Sequence, residues 1–499
     1  MEGSGGLVSP VGPACAPLAS VPAPSRGGKI RPLGYKALIE RGFPAPRCPP
    51  VPPLRTATLS SGLSVVLLED PDTSFVRGSL LSPRGDLSDA VPGTGAVLAG
   101  ALRQGGSRLL PGTQLDEALE RSACYVEVGT GPESTSVEWG GLVGQQDFAF
   151  DAFRSLLLEP AYGREAVGEV LDAVAQSLAH RNDSPGGVAG REASRLAWGT
   201  GSPLAAVPDA RVLASTLKSG EVLGLEHKLR LARPQGAVLG LSGPGCASDA
   251  ALARLESSLS SSPAYSGQVE KIDASTLADG ASRGTVGKTL GEGVAYVVDF
   301  PGATTAHVAL AARHGCQLGD APDCYALDTV NAVLNGFGGR LFDQVRSRAG
   351  LAYSVSGGWA LPLGRPGLFR AGGQTAAPSV GKFVAEVNRV LYEAGQEAPS
   401  EVELEAAKDA ALESFVFNFS TPRQQLQRAV SYAALGLPPD YLFTYRDALA
   451  RVTADECLQA TRRHLSVNGL VLVVSGDAKT LVPALERDLG VSCVAWEPA

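Results

Sequence analysis

Ala237-Val-Leu-Gly-Leu-Ser-Gly243 and Leu470-Val-Leu-Val-Val-Ser-Gly476 are one strand ending written twice. Each is an apolar run closed by Ser-Gly, which reads as a buried strand passing into a turn. A helical stretch leads into each copy, from Ser219-Gly-Glu221 in the first and from Thr453-Ala-Asp455 in the second. A short amphipathic helix follows each, Leu252 to Leu259 and Leu481 to Leu489. One supersecondary ending in two copies predicts a chain of two homologous α+β halves.

Working outward, the first half opens at Arg55 with two β-rich runs flanking Ser60-Ser61-Gly62, a hairpin signal that extends to Glu69. From Gly93 to Arg103 the spacing is helical and apolar nearly all round, so that helix is expected to be buried. Further helices are predicted over 147–158 and 164–180, and strands over 123–129 and 134–142. A Gly/Ser-rich stretch, 261–293, reads as a linker, after which strands return at Val294 to Phe300 and Thr305 to Arg313. The divisions expected are a Pro/Gly/Ala-rich tail 1–54, an N-terminal half 55–268, a linker 269–289 and a C-terminal half 290–499.

Composition narrows the function. The 499 residues carry 43 Lys+Arg against 51 Asp+Glu, a formal charge of −8, with no basic block, which argues against nucleic-acid binding through a basic face. No stretch of about 18 residues is free of charged, polar and glycine positions, so no membrane-spanning helix is expected. The tail is basic and poor in acids, resembling an organelle transit peptide, and reads equally as a disordered extension; it lacks the apolar core of a secretory signal. The eight cysteines show no C-x-x-C spacing. Cys316 and Cys324 are near enough to close a small loop, or to stand as two buried thiols.

The run Gly338-Gly-Arg-Leu-Phe-Asp-Gln-Val-Arg346-Ser-Arg-Ala-Gly-Leu-Ala-Tyr353-Ser-Val resembles the signature of the C-terminal half of insulinase-like, or pitrilysin-type, metallopeptidases. Pro366-Gly-Leu-Phe-Arg370, Glu405-Ala-Ala-Lys408, Ser414 to Pro422 and Pro439-Asp-Tyr-Leu442 resemble the same family, as does the opening hairpin Thr58 to Pro71. The resemblance implies a fold of two homologous clam-like halves, each of two α+β subdomains with helices packed on mixed or antiparallel sheets.

Active members carry H-x-x-E-H on an early helix of the first half and a further Glu about 75 residues on, because zinc needs converging N and O ligands and hydrolysis needs a carboxylate beside the metal-bound water. The corresponding helix here, Gly93 to Gly106, has neither His nor Glu, and His180, His227, His307, His314 and His464 lie elsewhere with no i, i+4 pair. No metal ligands and no cofactor-binding residues are therefore assigned in this chain. Arg346 and Tyr353 match the family's other site elements, an Arg and a Tyr seven residues apart that hold the substrate backbone or polarise its carbonyl. A surface salt bridge for Arg346 and a core-edge anchor for Tyr353 are the plain structural alternatives.

The reading that follows from the resemblance is a non-catalytic subunit of a processing-peptidase-like heterodimer. It binds extended peptides and supplies Arg346 and Tyr353 to a homologous zinc-bearing partner, with the zinc held by that partner. Extended peptides typically join such proteins by adding a strand to a sheet edge. The alternatives are a structural core subunit of a respiratory cytochrome bc1 complex and a stand-alone peptidase-fold scaffold. The compartment is left open between bacterial extracytoplasmic and mitochondrial.

Overall fold

The computed structural model describes residues 54–233, 236–260, 286–335, 338–362, 365–414, 417, 420–438 and 441–499. The expected tail apart from Leu54, and the expected linker apart from 286–289, lie outside them.

The hairpin forms as read: β1 (Leu54–Thr58) and β2 (Ser64–Glu69) pair antiparallel. Gly62 at their turn takes φ 88°, a left-handed value that only glycine adopts freely. β3 (Phe75–Ser82) is followed by α1 (Thr94–Gly105), α2 (Gly112–Arg121), β4 (Tyr125–Thr130) and β5 (Thr135–Leu142). Next come α3 (Gln146–Leu158), α4 (Arg164–Ala179), α5 (Pro185–Trp198), α6 (Ala210–Leu217) and α7 (Glu221–Arg230), then β6 (Val238–Gly243) and α8 (Asp249–Leu255).

The second half repeats this plan with β7 (Val294–Asp299), β8 (Thr305–His314), α9 (Asp323–Asn335), a π-helical turn (Phe342–Arg348), β9 (Ser354–Trp359) and β10 (Gly367–Ala376). It continues through α10 (Val380–Ala394), α11 (Glu401–Ser414), α12 (Pro422–Ala434), α13 (Tyr441–Arg451) and α14 (Ala454–His464). It closes with β11 (Val471–Gly476), α15 (Ala478–Leu489) and β12 (Ser492–Ala495).

The duplication is exact in topology over five strands. One sheet runs β1-β2-β6-β3-β5-β4 and the other β12-β7-β11-β8-β10-β9. The repeated endings, β6 and β11, sit in the same slot, parallel to β2 and β7 and antiparallel to β3 and β8. All six residues of each are buried, which is why both read as unbroken apolar runs. Only the sixth strand differs: β1 precedes its neighbour and pairs antiparallel, whereas β12 ends the chain and pairs parallel.

One face of each sheet is covered by its own helices. Leu67, Leu80 and Trp139 meet Val97, Leu98, Phe150 and Phe153 in the first half, and Phe369 and Val474 meet Leu327, Val330, Val384 and Val387 in the second. The opposite faces are covered crosswise. Val188, Ala193, Leu196 and Trp198 of α5 pack on Val294, Tyr296, Leu368 and Val473 of the second sheet, while Leu426, Ala429 and Val430 of α12 pack on Val66 and Val238 of the first. Removing both faces of a sheet from water requires an apolar partner for each, and every large buried side chain adds roughly 1.5–3 kcal/mol. The fold is α+β, in two homologous halves built on mixed sheets.

Candidate functional site

Helix α1 is the place where a zinc motif would stand. It packs with Leu98 and Leu102 fully buried and turns Ala96 to solvent, with Gly100 half-buried one turn on. A Cβ built on Gly100 would lie 2.9 Å from Cγ1 of Val170 on α4, so an imidazole at this place would collide with the neighbouring helix. Among the described residues no group of three or more His, Cys, Asp or Glu is arranged to hold a metal ion. His227, on α7, is fully engaged in the core: its Nε2 donates to the Leu157 carbonyl at 2.8 Å and its Nδ1 accepts from the Tyr162 hydroxyl at 2.9 Å. Burial pushes its pKa down to about 4. The described residues of this half offer no set of ligands that fits a zinc ion.

What α1 does have is a buried anchor. Asp89 Oδ2 accepts the amides of Gly93 and Gly95, both at 3.1 Å, and Oδ1 accepts from Arg230, which is wholly buried and also bonds Glu226 at 3.2 Å. The Thr130 hydroxyl donates to Asp86 Oδ1 at 2.9 Å, and a Cβ on Gly95 would lie 3.0 Å from Thr130 Oγ1. The start of α1 is thereby fixed against the end of β4, an edge strand. Gly131 N donates to Ser134 O at 2.8 Å across the β4–β5 turn. Antiparallel alternation from that bond turns the N–H and C=O groups of Val126, Val128 and Thr130 away from β5. Among the described residues nothing bonds to them.

The second half brings Arg346 and Tyr353 together. Gly338 takes φ 88° at the approach to the π-helical turn; Gly336 lies outside the described residues. The Arg346 guanidinium carbon stands 5.0 Å from the Phe342 ring centroid and 6.0 Å from that of Tyr353. Tyr353 is 77% exposed, so it does not anchor a core edge. Neighbouring arginines have ion-pair partners, Arg348 with Asp343 and Arg340 with Glu403, each at 2.7 Å, whereas Arg346 has none among the described residues. The Arg340 guanidinium, with help from Ser400, pulls the Glu403 carboxyl down to about 2. Cys316 and Cys324 are both buried free thiols.

The edge strand of this half, β9, is handled differently. Asn331 on α9 accepts from Trp359 N at 2.8 Å and donates to Trp359 O at 3.0 Å. One turn later Asn335 accepts from Gly357 N at 2.9 Å and donates to Gly357 O at 2.6 Å. Two side-chain amides thus act as the missing neighbouring strand. Gly358 permits it, since a Cβ there would lie 2.5 Å from Asn331 Oδ1. Sequence reading missed this lock; its signal was two asparagines four apart on a helix, answered by Gly-Gly-Trp.

The family model described as "Peptidase M16 inactive domain" matches residues 249–411, the stretch that holds Arg346 and Tyr353. The Non-peptidase homolog YmxG of Helicobacter pylori is 28% identical over 145 residues, which span 29% of this chain and 33% of that relative. Among solved structures, the peptidase M16 inactive domain from Pseudomonas fluorescens superposes with TM-score 0.72 at 21% identity, covering 89% of this chain and 99% of that one. The periplasmic protease PqqL of Escherichia coli superposes at 0.70 and 16% identity, covering 85% of this chain and 45% of that one. A protease from Helicobacter pylori superposes at 0.68 and 17%, covering 85% and 99%. The chain is therefore similar to the M16 inactive domain over residues 249–411 and shares the two-half fold of M16-type structures over most of its length, while its α1 carries neither His nor Glu.

Proposed function

We propose that this chain is a non-peptidase M16-type subunit that binds extended peptides and offers Arg346 and Tyr353 to the active site of a homologous zinc-bearing partner. One observation carries the reading: an arginine and a tyrosine side by side, both exposed, of which the arginine has no ion pair among the described residues and the tyrosine no core to support. A guanidinium is a fixed fork of donors suited to peptide carbonyls, and a phenol donates to a developing oxyanion. Neither group generates a nucleophile, so the chemistry would rest on a metal held by the partner. The open edge of β4 adds a place for main-chain pairing with an extended peptide.

The test is co-purification from native extract, followed by assays of the pair and of this chain alone on a quenched fluorescent peptide. Zinc and cleavage are expected only with a homologous second chain. Arg346→Ala is expected to lower turnover about 10- to 100-fold and Tyr353→Phe about 10-fold, with assembly intact, as for the loss of one transition-state donor. Unchanged turnover in both variants would remove the two residues from the site. Cleavage by the chain alone would overturn the non-peptidase reading.

A further inference from the structure

We infer that the groove between α5 and the outer face of the second sheet is a subsite for the carboxylate side chains of an extended acidic peptide, with Arg370 as its selecting residue. The inference rests on the peptide-binding reading above and adds the class of peptide.

Two cavities of about 390 and 660 Å³ adjoin along α5 and share Gly186, Gly190 and Arg370. Arg181, Arg191, Arg195 and Arg370 line them, and no aspartate or glutamate does. Glu192 is wholly buried and already accepts from Arg191 at 2.9 Å, from Arg195 and from the Trp496 indole at 3.1 Å; Arg191 also bonds the Ala499 oxygen at 3.5 Å, and Asp209 lies within electrostatic reach of Arg181. Arg181 and Arg195 are further held by the carbonyls of Pro208, at 3.0 Å, and Ala205, at 3.3 Å, contacts that fix a guanidinium without neutralising it. Four guanidiniums and no carboxylate on the lining leave the groove wall cationic in a chain whose formal charge is −8.

Arg370 is the least committed of the four. It rises from β10 on an exposed position, and its Nε donates to Ser194 Oγ at 3.1 Å. No bond to its two terminal nitrogens comes from the described residues. The floor is open at Gly190, where a Cβ would meet nothing within 4 Å, and covered at Gly186, where a Cβ would lie 2.9 Å from Nδ1 of His307. A peptide backbone can therefore approach closely at Gly190.

Arg191 and Arg195, one turn apart on α5, converge on the Glu192 carboxylate, which leaves Arg370 as the guanidinium open to a peptide carboxylate.

The test is fluorescence anisotropy with the full chain and three labelled peptides of alternating sequence, Glu-Ala, Gln-Ala and Lys-Ala. The acidic peptide is expected to bind about tenfold more tightly than its Gln counterpart at low salt, with the advantage shrinking as ionic strength rises. Arg370→Gln is expected to remove most of that advantage, and Arg370→Lys, which keeps charge but loses the fork, to restore part of it. Thermal melts of both variants matching the parent chain keep the comparison interpretable. Equal affinity for the Glu and Gln peptides, or an unchanged advantage in Arg370→Gln, overturns the acidic subsite and leaves peptide binding standing. Full competition by free glutamate at the peptide's own concentration also overturns it, as a small-anion site. Binding of no peptide removes the subsite and the peptide-binding reading together.

Discussion

The two halves share one strand order and finish it in opposite ways. At the outer edge of the first sheet, the outward backbone groups of Val126, Val128 and Thr130 on β4 have no bond among the described residues; at the equivalent edge of the second, Asn331 and Asn335 bond the backbone of Trp359 and Gly357. An open edge invites another strand, and proteins commonly cover or blunt edges they do not use. The contrast teaches that pairing with an extended peptide, if it follows the sheet, is available on β4 and closed over most of β9. The helices before the repeated strands differ as well. α7 sinks Arg230 and His227 into the core, whereas α14 keeps its ionic groups near the surface, with Arg463 and His464 meeting Asp323. The first half therefore carries buried polar groups under its candidate binding edge, and the second half carries the exposed pair.

The largest expected effect breaks the anchor of the first half. Asp89→Ala strands a buried guanidinium beside Glu226 alone and frees the two amides at the start of α1, at a cost of about 3 kcal/mol. Urea unfolding reads it directly, and a loss below about 1 kcal/mol would mean that the anchor does not hold α1 to β4.

Acid supplies the second test. The folded state binds a proton at His227 less readily than the unfolded chain does, with a pKa of about 4 against 6.5. Its contribution is then complete above pH 6.5, is lost as pH falls toward 4, and does not decline further below. One pKa unit corresponds to about 1.4 kcal/mol, so the full loss is about 3 kcal/mol. Unfolding free energies at pH 7 and pH 4 should converge for His227→Gln relative to the parent chain. Parallel profiles would show that this histidine does not titrate as its burial demands.

The smallest effects on stability address the edges themselves. Asn331→Ala with Asn335→Ala exposes two strand positions to water and should cost about 1–2 kcal/mol while promoting self-association, measured by light scattering. Val128→Pro removes one outward N–H from β4 and should leave stability within about 1 kcal/mol while weakening peptide binding. If only the asparagine variant alters peptide affinity, the roles assigned to the two edges are reversed.

Much of this was legible without coordinates. The repeated Ser-Gly strand endings gave the duplication because a strand buried on both faces must be apolar throughout, and that pattern survives in the sequence. The absence of His and Glu from Gly93 to Gly106 was equally plain, since ligand chemistry cannot be supplied by Ala and Gly. Arg346 and Tyr353 were found through a spacing that the family resemblance made meaningful, and the fold brings their side chains within 6.0 Å of each other. Less legible were the crosswise helices. The apolar stripes of α5 and α12 say that they are buried, and nothing local says that each lies on the other half's sheet.

The sequence by itself determined the α+β class, the two halves and the absence of an H-x-x-E-H motif from Gly93 to Gly106, because periodicity and side-chain chemistry are properties of neighbouring residues. Tertiary structure alone decided which edge is open, where Asn331 and Asn335 find backbone partners, and how Arg370 joins three arginines from another half of the chain. Those outcomes depend on contacts between residues far apart in sequence, 176 positions for Arg370 and Ser194, where only close packing chooses the partner.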